Sequence, residues 1–180
     1  MTVTETPLKD LLIIKPTLFE DERGYFFESF RLSILEERGI HVRFVQDNES
    51  KSNRGVVRGL HLQAPPHGQD KLLRVVKGSI FDVAVDVRKD SPTYGQSYGV
   101  ELNEDNKAML YVPQGFAHGF YCQEDNTIVQ YKCSNYYHKE SELGLFWNDE
   151  QLGIKWPQGP KIVSEKDQVH PTLADFKSPF

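Results

Sequence analysis

Short stretches in which apolar and polar residues alternate recur along the chain, and each predicts a strand. The clearest is Ser79 to Arg88, where Phe81, Val83, Val85 and Val87 share one face and Asp82, Ala84, Asp86 and Arg88 the other. The first face belongs to a core, and the second is polar and suited to line a cavity. Further strands are predicted at Leu11 to Pro16, Gly24 to Phe30, Lys71 to Lys77, Gln96 to Leu102, Ala108 to Val112, Gly119 to Cys122 and Thr127 to Ser134. Pro92, Asn103 to Asn106, Pro113-Gln114-Gly115 and Glu124-Asp125-Asn126 are turn formers between them. A short helix is predicted over Arg31 to Arg38, with Leu32 and Leu35 on one side and Gly39 closing it. Many short strands with one or two short helices predict an all-β antiparallel sandwich or barrel. No repeat, low-complexity tract or linker interrupts the 180 residues, so one domain is expected, with its core over 11–157 and a C-terminal wrap over 158–180.

Chemistry gathers in residues 44–63, FVQDNESKSNRGVVRGLHLQ, which place Gln46, Asp47, Asn48, Arg58, His61 and Gln63 on two short apolar strands joined by a polar turn. Strict alternation sends Val57, Gly59 and His61 one way and Val56, Arg58, Leu60 and Leu62 the other. An imidazole beside an arginine suits a cavity wall; a buried, hydrogen-bonded histidine with an arginine reaching solvent is the plain alternative. A second histidine, His118, follows a Pro-x-Gly turn in PQGFAHGF, the shape of the second motif of cupin jelly rolls. Metal-binding cupins carry His-x-His in their first motif, where this chain reads His61-Leu62-Gln63. His61 and His118, with His67 in a loop beside Pro65-Pro66, fall short of the converging ligands that a metal needs, so no metal is expected.

A net charge of -5 and a pI of 5.7 argue against nucleic acid or an anionic membrane as partner, so an anionic ligand must rely on a local cluster of Arg and Lys. Cys122 and Cys133 have no CxxC spacing and read as reduced thiols. MTVTETPLKD lacks the apolar core of a signal sequence, and a cytoplasmic protein is expected.

Five segments in order carry a resemblance: DERGYFFESF (21–30), residues 44–63, KLLRVVKGSIFDVAVDVRKDSPTYG (71–95), PQGFAHGF, and QYKCSNYY followed by WNDEQLGIKWP. From Leu11 to Asp167 the chain resembles the dTDP-4-dehydrorhamnose 3,5-epimerase family, jelly-roll enzymes of the cupin superfamily that work without metal. The resemblance implies a dTDP-linked 4-keto-6-deoxy sugar as substrate and no cofactor. Hydrogens on C3 and C5 flank the C4 ketone, so their removal leaves an enolate, and inversion needs a base on one face and an acid on the other. His61 matches the family base, Asp167 the aspartate that orients it, Tyr131 the opposite-face acid, and Lys71 the cation near the keto oxygen. Arg23 and Arg58 match pyrophosphate positions, where a forked donor serves. Glu28, Gln46, Asn48, His118, Glu142 and Lys166 match pocket positions, Tyr137 matches an aromatic that stacks on thymine, and Phe26 is a further aromatic contact.

The family's members are homodimers whose N-terminal strands cross the subunit boundary, a part that the aromatic Gly24 to Phe30 strand suits. Asp82 stays open between a neighbour of the histidine or lysine and a structural acceptor. Asp70 precedes Lys71 where the family often has glycine, and an acid there would lower the local positive potential. Cys122 and His170 receive no role. The nearest rival is a relative that inverts a single carbon; a metal-dependent cupin enzyme and a non-catalytic sugar-binding cupin are more remote, the last disfavoured by the joint presence of His61, Asp167, Lys71 and Tyr131.

Overall fold

Two antiparallel sheets face each other in a computed structural model that describes residues 1–180. The first has the order β1 (Thr2–Glu5), β2 (Leu12–Lys15), β10 (Met109–Val112), β7 (Lys71–Lys77), β12 (Thr127–Cys133) and β5 (Gln46–Ser52). The second has the order β13 (Glu142–Gly144), β6 (Val56–Gln63), β11 (Phe116–Cys122), β8 (Ser79–Asp86) and β9 (Ser97–Asn103), with β14 (Ile162–Val163) parallel to β6. The hairpin β3 (Phe19–Asp21) and β4 (Gly24–Phe26) pairs with neither sheet, and α1 (Leu32–Glu36) is the single α-helix. This is the expected all-β jelly roll. No helix is long and apolar enough to cross a membrane.

Alternation fills the space between the sheets unevenly. Leu73, Val75, Ile80, Ala84, Leu110, Phe116, Phe120 and Val129 pack one end into an apolar core, with Leu73, Phe120 and Val129 also bordering the cavity. Lys71 and Tyr131, further along β7 and β12, and His61 on β6 leave the other end polar and open. One expectation is refined here and one corrected. The valine face of β8 looks outward, and the core it joins is formed with the C-terminal segment: Val83, Val85 and Val87 pack with Leu145, Leu152 and Phe176. Asp82 and Ala84 face the interior and are fully buried, because a strand covered on both sides shows no solvent face. The second concerns β5, QDNESKS, which is polar rather than apolar and is held by its full register with β12.

Burying one such Leu, Val or Phe is worth about 1.5–3 kcal/mol, so the outer cluster anchors the chain after β13 firmly. That anchoring fixes β14 and the turn that follows it beside β6. On the outside of the first sheet, Leu35 of α1 joins Val42, Leu12, Ile14, Leu72, Met109 and Tyr111.

Candidate active site

The site begins with a bulge in β6. Arg58 pairs with Phe120 of β11 and His61 with His118, so β6 advances three residues while β11 advances two. The extra residue turns Arg58 and His61 onto the same wall, where strict alternation had separated them. Gly59 makes this possible. Its φ is +121°, and a Cβ there would lie 2.6 Å from Gly119 Cα and 2.8 Å from the His118 carbonyl oxygen.

The edge of β6 away from β11 is covered in two pieces, by β13 at His61 to Gln63 and by β14 at Val56 and Val57. Between them the Gly59 N–H has no strand partner and donates instead to Asp167 Oδ2 at 3.2 Å. Asp167 is 4% exposed. Its other oxygen accepts from His61 Nε2 at 2.6 Å. A carboxylate only accepts, so Nε2 carries the hydrogen and Nδ1 is left as the basic nitrogen. Burial pushes the Asp167 carboxyl up, but the His61 bond and charge, the Gly59 amide and the Ser164 hydroxyl outweigh it and hold it below its ordinary value. The aspartate is thus an ionised partner set to stabilise an imidazolium.

His118 repeats the arrangement next door, its Nε2 3.0 Å from each oxygen of the fully buried Asp82. Asp82 is thus the hydrogen-bond partner of His118, and its charge also reaches Lys71.

The opposite wall belongs to the first sheet. Lys71 on β7 and Tyr131 on β12 point inward, with the Lys71 ammonium 3.4 Å from the His61 carbonyl oxygen. Burial lowers the Lys71 pKa, partly offset by Cys133, Asp82 and Glu142. Asp70 is absent from these influences because its carboxylate points to the outer face, accepting from Tyr111 Oη, Gln114 Nε2 and Ser134 Oγ at 2.8–3.0 Å. The concern that it weakens the lysine's potential is thereby removed. Burial raises the Tyr131 phenol, and Cys133 adds to this while Arg58 opposes it, leaving a neutral proton donor.

These groups line a cavity of about 530 Å³ together with Arg58, His118, Lys166 and Asp167, a size suited to a small-molecule ligand. A second lobe of about 370 Å³, lined by Gln46, Asn48, Tyr137 and Glu142, meets it at His61, Lys71 and Tyr131. Gln46 Nε2 donates to Asn48 Oδ1 at 3.0 Å, Tyr137 Oη to Glu142 Oε2 at 2.8 Å, and the Lys166 ammonium pairs with Glu142. Positive groups at the mouth beside an enclosed base, acid and cation suit an anionic substrate with an acidic C–H.

A model of the family described as dTDP-4-dehydrorhamnose 3,5-epimerase matches residues 5–175. The chain belongs to the dTDP-4-dehydrorhamnose 3,5-epimerase family. A relative of that name from Methanothermobacter thermautotrophicus is 51% identical over 167 residues, covering 91% of this chain and 90% of its own. The crystal structure of dTDP-4-dehydrorhamnose 3,5-epimerase from Elizabethkingia anophelis superposes with a TM-score of 0.93 at 50% identity, over 97% of each chain. That of dTDP-6-deoxy-D-glucose-3,5-epimerase from Legionella pneumophila, in complex with dTDP-4-keto-L-rhamnose, gives 0.94 at 46% identity, over 98% of this chain and 94% of that one.

Within this epimerase-family chain, eleven of the fourteen residues singled out from the sequence line the two lobes, and three do not. Arg23 and Phe26 sit on the β3–β4 hairpin and Glu28 just beyond it, outside both lobes; Arg23 is paired only with Asp21, Glu28 is 3.5 Å from Arg31, and Phe26 is 67% exposed. The structure also adds residues that sequence reasoning missed. Ser50 lines the main cavity, Gln69 and Cys133 line the second lobe beside Gln63, which the sequence had already singled out, and Ser164 braces the Asp167 turn through a 3.2 Å bond. His170 stands 3.5 Å from Asp167. The Asp-x-x-His spacing was the available signal for it.

Proposed function

We propose that the chain inverts C3 and C5 of dTDP-4-dehydro-6-deoxy-D-glucose, giving dTDP-4-dehydro-L-rhamnose for dTDP-L-rhamnose biosynthesis. One observation carries this reading: His61 on one sheet and Tyr131 on the other occupy opposite walls of the cavity, with Lys71 lining it beside them. His61 Nδ1 removes the C5 proton, the charge passes to the C4 oxygen beside the Lys71 ammonium, and the Tyr131 hydroxyl returns a proton from the other face. Imidazolium and phenolate then exchange protons with water, and the same sequence acts at C3. Asp167 steadies the imidazolium at each step, while Lys71 acts where charge develops, a placement commonly worth 10²–10³ in rate. No metal or redox cofactor takes part in this reading.

Arg58 and Lys166 serve the pyrophosphate side of the cavity, with Gln46, Asn48, His118, Tyr137 and Glu142 as further contacts. Arg23, Phe26 and Glu28 enter through a homodimer, in which the hairpin of one copy reaches the site of the other. What supports this is a hairpin that leaves Phe19, Tyr25 and Phe26 at 61%, 57% and 67% exposure and belongs to neither sheet. A cytoplasmic setting completes the proposal.

The test is turnover coupled to a reductase that consumes the product. His61→Ala and Tyr131→Phe are each expected to abolish the coupled signal while nucleotide binding persists; wild-type rates in either variant would overturn the assigned roles.

A further inference from the structure

His170 has no part in the proton transfers just described, yet its placement is specific. Its ring is largely buried, and its Nε2 has no hydrogen-bond partner. The nearest acceptor is Asp167 Oδ1 at 3.5 Å, the same oxygen that takes the His61 bond. Gly144, opposite His61 in the β13–β6 register, makes the room: a Cβ there would stand 2.5 Å from His170 Nε2. The His61 and His170 rings meet edge to face with centroids 5.7 Å apart. One nitrogen from each ring and one oxygen from Asp167 all lie within 4.8 Å of one another.

We propose that His61 Nε2, Asp167 Oδ1 and His170 Nε2 form a binding site for a zinc-class divalent cation, and that the bound ion switches the enzyme off. Two imidazoles and one carboxylate are the ligand set that borderline cations such as Zn²⁺ favour. A tetrahedral shell with metal–ligand distances near 2.1 Å sets its donors about 3.4 Å apart. Asp167 and His170 already stand at 3.5 Å, and His61 need draw back from its 2.6 Å hydrogen bond by less than about 1 Å. Asp167 Oδ2 keeps its bond from the Gly59 amide, the outer hold that orients a ligating carboxylate.

Blockade follows from the tautomer and rests on the reading of His61 as base. A neutral imidazole ligated through Nε2 carries its single hydrogen on Nδ1, the nitrogen that must accept a proton from the substrate. The hydrogen moves from Nε2 to Nδ1 by exchange with solvent as the ion takes Nε2, so no net proton is released and no redox step is involved. The site is thus inhibitory, and apart from the His-x-His pattern of metal-dependent cupins.

Isothermal titration of the full-length protein with ZnCl2 tests the binding. One ion per chain is expected, with affinity lowered at least roughly tenfold by His170→Gln, the scale on which even hydrogen-bond partners of metal ligands act. His67→Gln, which alters the stacked His67–His138 pair elsewhere on the surface, leaves the affinity unchanged. Absence of zinc binding, or equal affinity in wild type and His170→Gln, overturns the site and leaves the epimerase reading untouched. Inhibition is read as the ratio of turnover with and without zinc in each variant, so any change in basal rate divides out; a smaller ratio effect in His170→Gln supports the blockade. Zinc bound through His170 with turnover undiminished overturns the blockade and counts against His61 as the base.

Discussion

Lys71→Met separates stability from catalysis at a single atom group. The Lys71 ammonium sits between the sheets with one long hydrogen bond, 3.4 Å to the His61 carbonyl oxygen, where an ammonium in water satisfies three donors. Its pKa stands below the ordinary 10.5 because burial penalises the charged form, and Cys133, Asp82 and Glu142 recover only part of that cost. Leaving a buried charged group short of partners costs about 1–3 kcal/mol or more. Methionine keeps the length and the methylene packing and removes the charge. Taking the low end, about 1 kcal/mol of stabilisation corresponds to about 2–4 °C in Tm for a chain of this size.

The sign also shows in pH. The native state holds fewer protons than the unfolded one on the approach to 10.5, so wild-type stability gains from Lys71 as pH rises there, and the methionine variant loses that gain. Turnover should fall by about 10²–10³ as the enolate loses its cation. Calorimetry and coupled turnover on the same preparations check both halves. A Tm that falls, or a variant that keeps wild-type turnover, refutes the reasoning.

Asp167→Asn removes a charge-assisted bond worth about 1.5–3 kcal/mol, so kcat should drop about 10–150-fold with KM little changed, as steady-state kinetics would show. The Asp167 pKa is depressed in the folded state, so its contribution to stability is present above the ordinary 3.8 and is lost as pH falls through the lower folded value; acid unfolding curves of Asp167→Asn should lack that component. Gly59→Ala combines a φ of +121° with a Cβ 2.6 Å from the Gly119 backbone, and urea unfolding should show a loss of at least about 1–3 kcal/mol. Mixing and refolding inactive His61→Ala with inactive Arg23→Ala chains should restore turnover, because the mixed dimer holds one intact site; no recovery would count against the shared site.

Reading the chain alone recovered the strands whose alternation is regular and the residues that face the cavity from them. Lys71, Tyr131 and His118 were reached through the family resemblance and not through alternation, and all three line the cavity. Arg58 and His61 defeated strict alternation because one extra residue lies between them, and the isolated Gly59 was the only local sign of it. The valine face of β8 was read as core and is core, but periodicity did not show that this core lies outside the two sheets beneath a covering segment from residues 145–176, or that the opposite face is buried as well. β13 and β14 are two or three residues long and exist through pairing with β6, so no propensity marks them. Asp167 and His170 reach His61 across more than a hundred residues of chain, a contact made by tertiary packing alone.

The most direct test of the central claim is proton exchange on dTDP-4-dehydro-6-deoxy-D-glucose incubated with the protein in deuterium oxide and followed by NMR of the sugar ring. Loss of the proton signals at both C3 and C5, dependent on His61, is the predicted result. Retention of both signals would contradict the account, and loss at one carbon alone would contradict the double inversion.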